Sequence, residues 1–239
     1  MFVPPGMGYD RAITIFSPDG RIYQVEYAQE CVRKGWTALG VKVSEGVVLV
    51  GERRFVSRLM RSTEKILKID EHIGLAFAGL QSDARVLIDR ARIYAQIHRM
   101  VYDEPIPVEA LARRICDIKQ AYTQHGGVRP FGVSFLFAGV DETGAQLIET
   151  DPGGNYFIIF AHAIGRGANA VMDVLEKEYN SEMSLNDAIV LSLKALRQSV
   201  EEGVKLSPET VEIGVVDIKT KIFRKLSLDE IKAYITKIQ

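Results

Sequence analysis

The sequence predicts an α+β protein in which two stacked, largely antiparallel sheets lie between two layers of helices. Three observations support this fold class. Strand-like segments are joined in pairs by short turns, which is typical of antiparallel hairpins. Pairs of amphipathic helices separate these blocks of strands, so the order does not resemble parallel β-α-β units. The strands are apolar on successive residues, as in VVLV, FLF and FIIF, so both faces of each sheet require a cover.

A predicted helix near the N-terminus precedes the first strands. Ser17 and Asp19 can accept hydrogen bonds from free N–H groups at a helix start, and Pro18 fits the first turn. Apolar side chains at helical spacing follow, with two basic residues in the last turn. We therefore expect a helix over about 18–34, closed by Gly35 in a left-handed conformation.

Hairpins and helix pairs alternate along the rest of the chain. Strands are predicted at WTALGVKV, GVVLVG, LKID, HIGLAFAG, GVSFLFAGV, AQLIE, NYFIIF, AHAI, TVEIGVVDI and KIFRKL. Apolar residues at helical spacing predict helices over about 84–101, 107–122, 168–179, 185–202 and 227–238. Two of these helices begin with sequences typical of N-caps, Ser184-x-x-Asp187 and Ser227-x-x-Glu230.

Composition and charge favour one large domain that binds neither nucleic acid nor membrane. The chain has 239 residues, of which 47% are hydrophobic, and this is enough for a full core. The 30 basic and 31 acidic residues nearly balance, so no bulk charge favours a polyanion. No apolar run reaches the roughly 18 residues of a membrane span. We expect residues 1–8 to form a flexible tail, residues 9–239 a single domain and residues 36–239 its sandwich.

The cysteines and histidines indicate neither a disulfide nor a metal site. Cys31 and Cys116 lie far apart and form no CxxC pair, which favours a reducing, cytoplasmic location. Gly165-Arg166-Gly167 precedes a helix and could cradle an anion, but a lone GxG is more often a tight turn from strand to helix. Spacing typical of metal ligands is absent among the histidines, His72, His98, His125 and His162. We therefore predict no metal and no cofactor.

The segment YDRAITIFSPDGRIYQVEYA, from Tyr9 to Ala28, resembles the signature at the start of proteasome α-type subunits. The similarity continues at matching spacings through GWTALGVK, STEKILKID, ETDPGG and AIGRG, and YTQHGGVRPFG is most similar to archaeal α subunits. The resemblance implies a four-layer α-β-β-α sandwich of the N-terminal-nucleophile hydrolase type. It also implies a seven-membered α ring that stacks on proteolytic β subunits, docks a hexameric ATPase activator and passes unfolded protein substrates in ATP-dependent degradation.

The same resemblance implies that this chain does not cut peptides. The family's β subunits use a threonine that self-cleavage exposes after a glycine, and its free α-amine acts as the base. Here Trp36 follows Gly35 and has no nucleophilic oxygen, while Thr37 is one place late with its nitrogen in a peptide bond. Without a nucleophile, the residues that match the family's acidic, basic and lysine positions are remnants or serve another purpose; they are Glu52, Arg54 and Lys65.

The resemblance also implies a gate at the N-terminus. In the family, the turn that corresponds to Tyr9, Asp10 and Arg11 lies at the pore rim, and contacts with Pro18 and Tyr27 hold its open form. Disordering a tail rich in Gly and Pro costs little free energy, so the open and closed states of such a gate are nearly equal in free energy. A small cluster of aromatic and carboxylate side chains can then shift the balance between them. The alternative is that the turn simply caps the adjacent strand.

A docking site is implied around Lys65. In the family, the equivalent lysine lines a pocket between adjacent α subunits and pairs with the C-terminal carboxylate of an activator. Without the family match, Lys65 would be interpreted as an exposed strand lysine. By the same resemblance, five further residues shape the pocket, namely Gly20, Glu26, Gly35, Gly79 and Leu80.

Two other functions remain open at this point. An active threonine-type N-terminal-nucleophile peptidase would require processing before a Thr, Ser or Cys. An α-like scaffold without a β partner would form a ring or an assembly factor alone. The helix over 17–34 has apolar residues on more than one face, which favours lateral or top-face contacts, although deeper burial within its own fold would also explain them.

Overall fold

A computed structural model describes residues 9, 11–53, 59, 63–200 and 206–238. Within these residues the chain forms six helices and ten strands. The helices are α1 Tyr23–Lys34, α2 Gln81–Tyr102, α3 Val108–Gln124, α4 Ala168–Glu178, α5 Leu185–Ser199 and α6 Leu228–Thr236. The strands are β1 Ala38–Val43, β2 Gly46–Glu52, β3 Ile66–Asp70, β4 Ile73–Gly79, β5 Val133–Asp141, β6 Gly144–Thr150, β7 Tyr156–Ile158, β8 Ala161–Ile164, β9 Val211–Asp217 and β10 Phe223–Lys225.

The strands form two five-stranded sheets. The first has the order β10-β9-β2-β1-β8, and the second has the order β3-β4-β5-β6-β7. Every neighbouring pair is antiparallel. The β1–β2 hairpin is in register from Ala38 opposite Gly51 to Val43 opposite Gly46, and Gly46 has the positive φ of 150° that the turn requires.

Three apolar clusters separate four layers. Leu39 and Val50 face α4, α5 and α6 on the outer side of the first sheet. Leu75 and Phe135 face α2 and α3 on the outer side of the second sheet. Between the sheets lies a third cluster, which includes Leu49, Ala76, Leu136 and Leu147. The predicted order of helices, sheet, sheet and helices is confirmed.

The alternation of buried side chains along each strand explains the runs of apolar residues. In β2, Val48 and Val50 belong to the outer cluster, whereas Val47 and Leu49 belong to the cluster between the sheets. Gly40 lets the sheets approach closely, because a Cβ there would lie 2.7 Å from Leu147 Cδ1. A strand covered on both faces has no position at which a polar residue reaches water.

The predicted start of the N-terminal helix is wrong, because α1 begins at Tyr23 and not near Ser17. Ser17 instead closes a turn: its N–H donates to Arg21 O, and its Oγ accepts from Arg21 N at 3.1 Å. Gly20 completes this turn with a φ of 75°, which an α-helix cannot continue. The cap chemistry of Ser17 was therefore correctly recognised but belongs to a separate turn.

The predicted left-handed cap at Gly35 is also wrong. Gly35 has φ −68° and ψ 157°, an extended conformation open to other residues. Glycine is needed here for another reason, since a Cβ would lie 2.3 Å from the backbone nitrogen of Gly79. The chain leaving α1 thus passes directly against the end of β4.

Both predicted N-caps are confirmed, because Ser184 accepts from Asp187 N and Ser227 forms a full capping box with Glu230. The helix predicted to run to 202 ends at Ser199. The flexible tail predicted for residues 1–8 lies outside the described residues. Among the helices described here, none is both long and apolar enough to cross a membrane.

Candidate functional site

A cavity of about 260 Å³ lies at the end of the sandwich where β2 and β4 finish and β3 begins. The antiparallel register brings these strand ends together, and the end of α1 and the start of α2 complete the wall. The cavity is lined by Lys34, Gly35, Trp36, Glu52, Arg53, Thr63, Glu64, Lys65, Phe77, Gly79 and Gln81. Residues from four separate parts of the sequence therefore share one site.

Lys65 is a buried lysine in this wall, with only 5% of its surface exposed. Gly51 provides the space for it, because a Cβ at Gly51 would lie 2.6 Å from Lys65 Cγ. Lys65 Nζ lies 4.6 Å from the ring centroid of Phe77 and forms no hydrogen bond or ion pair with any described residue. Burial lowers the pKa of Lys65 to about 7, although the carboxylates of Glu52 and Glu212 act in the opposite direction.

Glu212 anchors the start of β3 and was not found by sequence reasoning. It lies on β9 in the other sheet, is 7% exposed, and its Oε2 accepts from the backbone nitrogens of Lys65 and Ile66 at 2.9 Å each. Arg53 Nη1 lies 3.3 Å from Glu212 Oε1, and Lys225 Nζ lies 3.5 Å from Glu212 Oε2. The available signal was a single carboxylate inside the otherwise apolar strand TVEIGVV.

Glu52 and Trp36 are joined by Arg166. The Arg166 guanidinium lies 3.2 Å from Glu52 Oε1 and stacks 4.1 Å from the Trp36 ring centroid. Arg166 follows Gly165, whose φ of 98° forms the tight turn between β8 and α4. The GxG sequence thus forms the predicted strand-to-helix turn, and its arginine contacts residues of the cavity wall.

Thr37 is sealed away from the cavity. It is 0% exposed, its Oγ1 accepts from Gly167 N at 3.1 Å, and its carbonyl accepts from Glu52 N at 2.8 Å. Its hydroxyl oxygen already accepts one hydrogen bond, and no substrate carbonyl can reach it. The cavity wall carries another hydroxyl on Thr63, which donates to Gln81 Oε1 at 3.3 Å. The threonine nearest to the family's nucleophile position is therefore inaccessible.

No group of three His, Cys, Asp or Glu residues within the described ranges could hold a metal ion. Cys31 and Cys116 are free thiols. His72 and His162 each lie near a carboxylate, His72 at 3.6 Å from Asp70 and His162 at 3.1 Å from Glu149. These histidines take part in the packing of the sandwich.

Comparison with known proteins decides the family. A sequence profile described as "Proteasome subunit" matches residues 32–216, and a second profile, which describes the N-terminal signature of the A-type proteasome subunits, matches residues 9–30. The chain belongs to the proteasome α-subunit family. The resemblance recognised in the segment from Tyr9 to Ala28 is therefore confirmed, together with the sandwich fold that it implied.

Archaeal members of the α-subunit family are similar over almost the whole chain. The proteasome α subunit of Archaeoglobus fulgidus is 56% identical over 233 residues, which cover 97% of this chain and 94% of that protein. The protein of the same description from Pyrococcus horikoshii is 52% identical and covers 99% of this chain and 90% of its own length. The proteasome α subunit of Methanosarcina acetivorans is 52% identical, and the match covers 98% of this chain and 95% of that protein.

The structure brings together three of the six residues that the α-subunit resemblance assigned to docking. Lys65, Gly35 and Gly79 line the cavity, and Leu80 follows Gly79 at the start of α2 with 40% of its surface exposed. Gly20 and Glu26 lie on the N-terminal segment and are not among the described lining residues. Glu26 forms an exposed ion pair with Arg21.

The residues assigned to a gate lie on the surface of the N-terminal segment. Tyr9 is 36% exposed, Tyr27 is 50% exposed, and Pro18 lies in the exposed turn before α1. Arg11 lines a second cavity of about 400 Å³ between residues 11–14 and the loop Gly126–Val128. Among the described residues of one chain, no hydrogen bond or ring contact joins Tyr9 to Tyr27. Asp10, the fifth predicted gate residue, lies outside the described residues.

Proposed function

We propose that this chain is a non-catalytic subunit of the proteasome that forms a seven-membered ring, stacks on β subunits and admits unfolded protein when an ATPase activator docks. The observation that carries this proposal is the cavity around Lys65. Its wall contains a buried amine that is paired with no described residue, and the described lining contains no terminal nucleophile. Family membership supports assembly with other proteasome subunits.

The absence of catalysis rests on two side chains. Trp36 occupies the position after Gly35 and stacks under Arg166, and it supplies no oxygen to attack a peptide. Thr37 is buried, and its nitrogen lies within a continuous backbone between α1 and β1. A peptide nitrogen has no basic lone pair, so no base replaces the α-amine of a terminal threonine.

Docking of a C-terminal carboxylate fits the chemistry of the cavity. A carboxylate in contact with Lys65 Nζ would give the amine a charged acceptor, and a charge-assisted hydrogen bond is stronger than one between neutral groups. The wall also carries two basic residues, Lys34 and Arg53, together with two carboxylates, Glu52 and Glu64. A chain terminus is favoured over an internal segment because it brings its own negative charge.

Two exposed apolar surfaces support assembly into stacked rings. The edge strands β7 and β8 end the two sheets and follow one another along the chain. Phe157 and Ile158 on β7 and Phe160 between the two strands have 50%, 56% and 64% of their surfaces exposed. The outer face of α2 carries an exposed stripe at helical spacing, formed by Val86, Ile93, Ile97, Met100 and Val101. We assign the edge to neighbouring copies of this chain and the α2 stripe to β subunits.

These assignments can be tested separately. Phe160→Glu should prevent ring formation by the chain alone, since a charge on the edge would be buried in each lateral contact. Ile97→Glu should leave the ring intact but reduce co-purification with β subunits. Mass measurement of each assembly distinguishes the outcomes. Rings of unchanged size and yield from Phe160→Glu, or undiminished β binding by Ile97→Glu, would contradict the assignment.

Docking is tested in particles assembled from this chain and β subunits. Lys65→Ala should abolish stimulation of long-peptide hydrolysis by a hexameric ATPase and leave basal cleavage of short peptides unchanged. Lys68→Ala is the matched control, because Lys68 lies three residues further along the chain, on β3, but is exposed and paired with Glu71 at 2.8 Å. Stimulation retained by Lys65→Ala would contradict docking at this cavity.

Gating is tested by deletion of residues 2–12. If Tyr9, Asp10 and Arg11 restrict entry with Pro18 and Tyr27, the deletion should raise basal hydrolysis of long peptides but not of dipeptide-sized substrates. Unchanged hydrolysis of long peptides would overturn the gate.

Two further measurements exclude the other candidate functions. An intact mass that retains residues 1–36 excludes a processed peptidase, and co-purification with β subunits excludes a scaffold without partners.

A further inference from the structure

Lys65 carries chemistry that docking does not use. Its amine is nine-tenths buried in the wall of an open cavity, lies 4.6 Å from the Phe77 ring centroid, and forms no hydrogen bond or ion pair with any described residue. An ammonium ion without a partner at such a site is costly, so burial favours the uncharged amine. An uncharged lysine amine is a nucleophile.

We propose that Lys65 is a covalent modification site at which small aldehydes form an imine within the cavity. The lone pair of Nζ attacks the carbonyl carbon, and the carbonyl oxygen leaves as water with the two hydrogens of the amine. The products are the imine and one water molecule, so the step needs no oxidant or reductant. It is reversible by hydrolysis, and aromatic aldehydes are favoured because Trp36 and Phe77 both line the cavity.

The charged groups around the amine set its protonation. Burial lowers the pKa of Lys65 to about 7, and Glu52 and Glu212 limit this decrease. Near pH 7 about half of this amine is uncharged, compared with less than about 0.1% of an ordinary exposed lysine. Among the described residues, the other charged groups near the cavity are Lys34 on α1, Arg53 after β2, Glu64 before β3, Arg166 before α4 and Lys225 on β10.

Selective labelling tests the proposal. The full chain is treated at pH 7 with limiting benzaldehyde and cyanoborohydride, which supplies the hydride that converts the imine to a stable benzylamine. Mass spectrometry of the digested chain then gives a labelling rate for each lysine. Lys65 should react at least about tenfold faster than Lys68, because its larger uncharged fraction outweighs its restricted access. Labelling of Lys65 no faster than that of Lys68 would overturn the proposal.

The pH profile provides a second readout. The rate at Lys65 should level off above about pH 8, whereas the rate at Lys68 should rise by about tenfold per pH unit towards pH 10. A rate at Lys65 that rises in parallel with that at Lys68 would overturn the proposal. In Lys65→Arg the label at this position should be lost, since a guanidinium does not form the imine, and the remaining lysines should keep their rates.

One consequence rests on the proposed docking function. A benzylated Lys65 fills part of the cavity, so particles with the modified chain should lose stimulation by the ATPase. Labelling is measured on the chain without an activator, and the two failures are therefore distinguishable. Selective labelling with full stimulation would contradict docking and leave the amine chemistry intact.

Discussion

Lys65 and Lys119 are two buried lysines of the same sandwich, and they differ in what surrounds the amine. Each Nζ lies 4.6 Å from a phenylalanine ring centroid, Phe77 for Lys65 and Phe135 for Lys119. Lys119 lies on α3, is fully buried, and donates to Val133 O at 3.0 Å and to Thr150 Oγ1 at 2.9 Å. Lys65 has no such acceptor among the described residues and lines a cavity.

The comparison separates an amine that is fixed by the fold from one that faces a cavity. Burial lowers the pKa of both lysines, to about 7 for Lys65 and about 8 for Lys119. The decrease alone therefore does not identify a site. Hydrogen bonds to fixed backbone groups bind Lys119 to the fold, whereas the amine of Lys65 remains available to a ligand.

The largest difference should appear when each lysine is replaced by methionine, which keeps most of the volume. Lys119→Met should lower the free energy of unfolding by about 2–3 kcal/mol, because Val133 O and Thr150 Oγ1 lose their donor inside the core. Lys65→Met should not lower it, since no hydrogen bond is lost and the cost of burying the amine is removed. Urea unfolding measures both. Equal losses would invalidate the distinction between the two sites.

Replacement of Glu212 is expected to lower the free energy of unfolding by less, with a structural effect confined to the end of the sandwich near Lys65. Glu212→Gln should lower the free energy of unfolding by about 1–2 kcal/mol, because Arg53 loses a charged partner and the acceptor for two backbone N–H groups is weakened. Hydrogen exchange should accelerate at the amides of Lys65 and Ile66. Glu209→Gln, at an exposed position before β9, is the control. Unchanged exchange at the start of β3 would exclude this clamp.

The smallest effect concerns pH. Because the pKa of Lys65 falls from 10.5 to about 7 on folding, the unfolded chain binds more protons between these values. Stability contributed by this residue therefore increases as pH rises above 7, by about 1 kcal/mol from pH 7 to pH 8. The same increase should be absent in Lys65→Met. Identical pH dependence of the two proteins in thermal unfolding would place the titration elsewhere.

The fold was predictable from local patterns. Apolar periodicity placed the helices within a few residues, and hairpin turns predicted the antiparallel order. The errors fell at the N-terminal helix, where Ser17 has the chemistry of a cap but accepts from Arg21 in a separate turn. A turn and a helix start use the same side chain for the same purpose, so local sequence does not separate them.

The site was predictable only in part. The resemblance selected Lys65, Gly35 and Gly79, which share the cavity wall. The resemblance gave no role to Glu212. The two N–H groups that donate to this carboxylate lie 147 and 146 residues away in sequence. A contact of that separation exists only once both sheets have formed and stacked.

The sequence by itself determined the layers and the lack of a nucleophilic side chain directly after Gly35, since apolar periodicity depends on near neighbours and a tryptophan carries no nucleophile. The tertiary structure decided which charged groups meet and which of them face a cavity. Lys65 and Lys119 are both lysines flanked by ordinary sequence, and composition does not distinguish them. Their amines differ because the folded chain surrounds one with hydrogen-bond acceptors and leaves the other facing a cavity, so only the first has fixed partners in place of water.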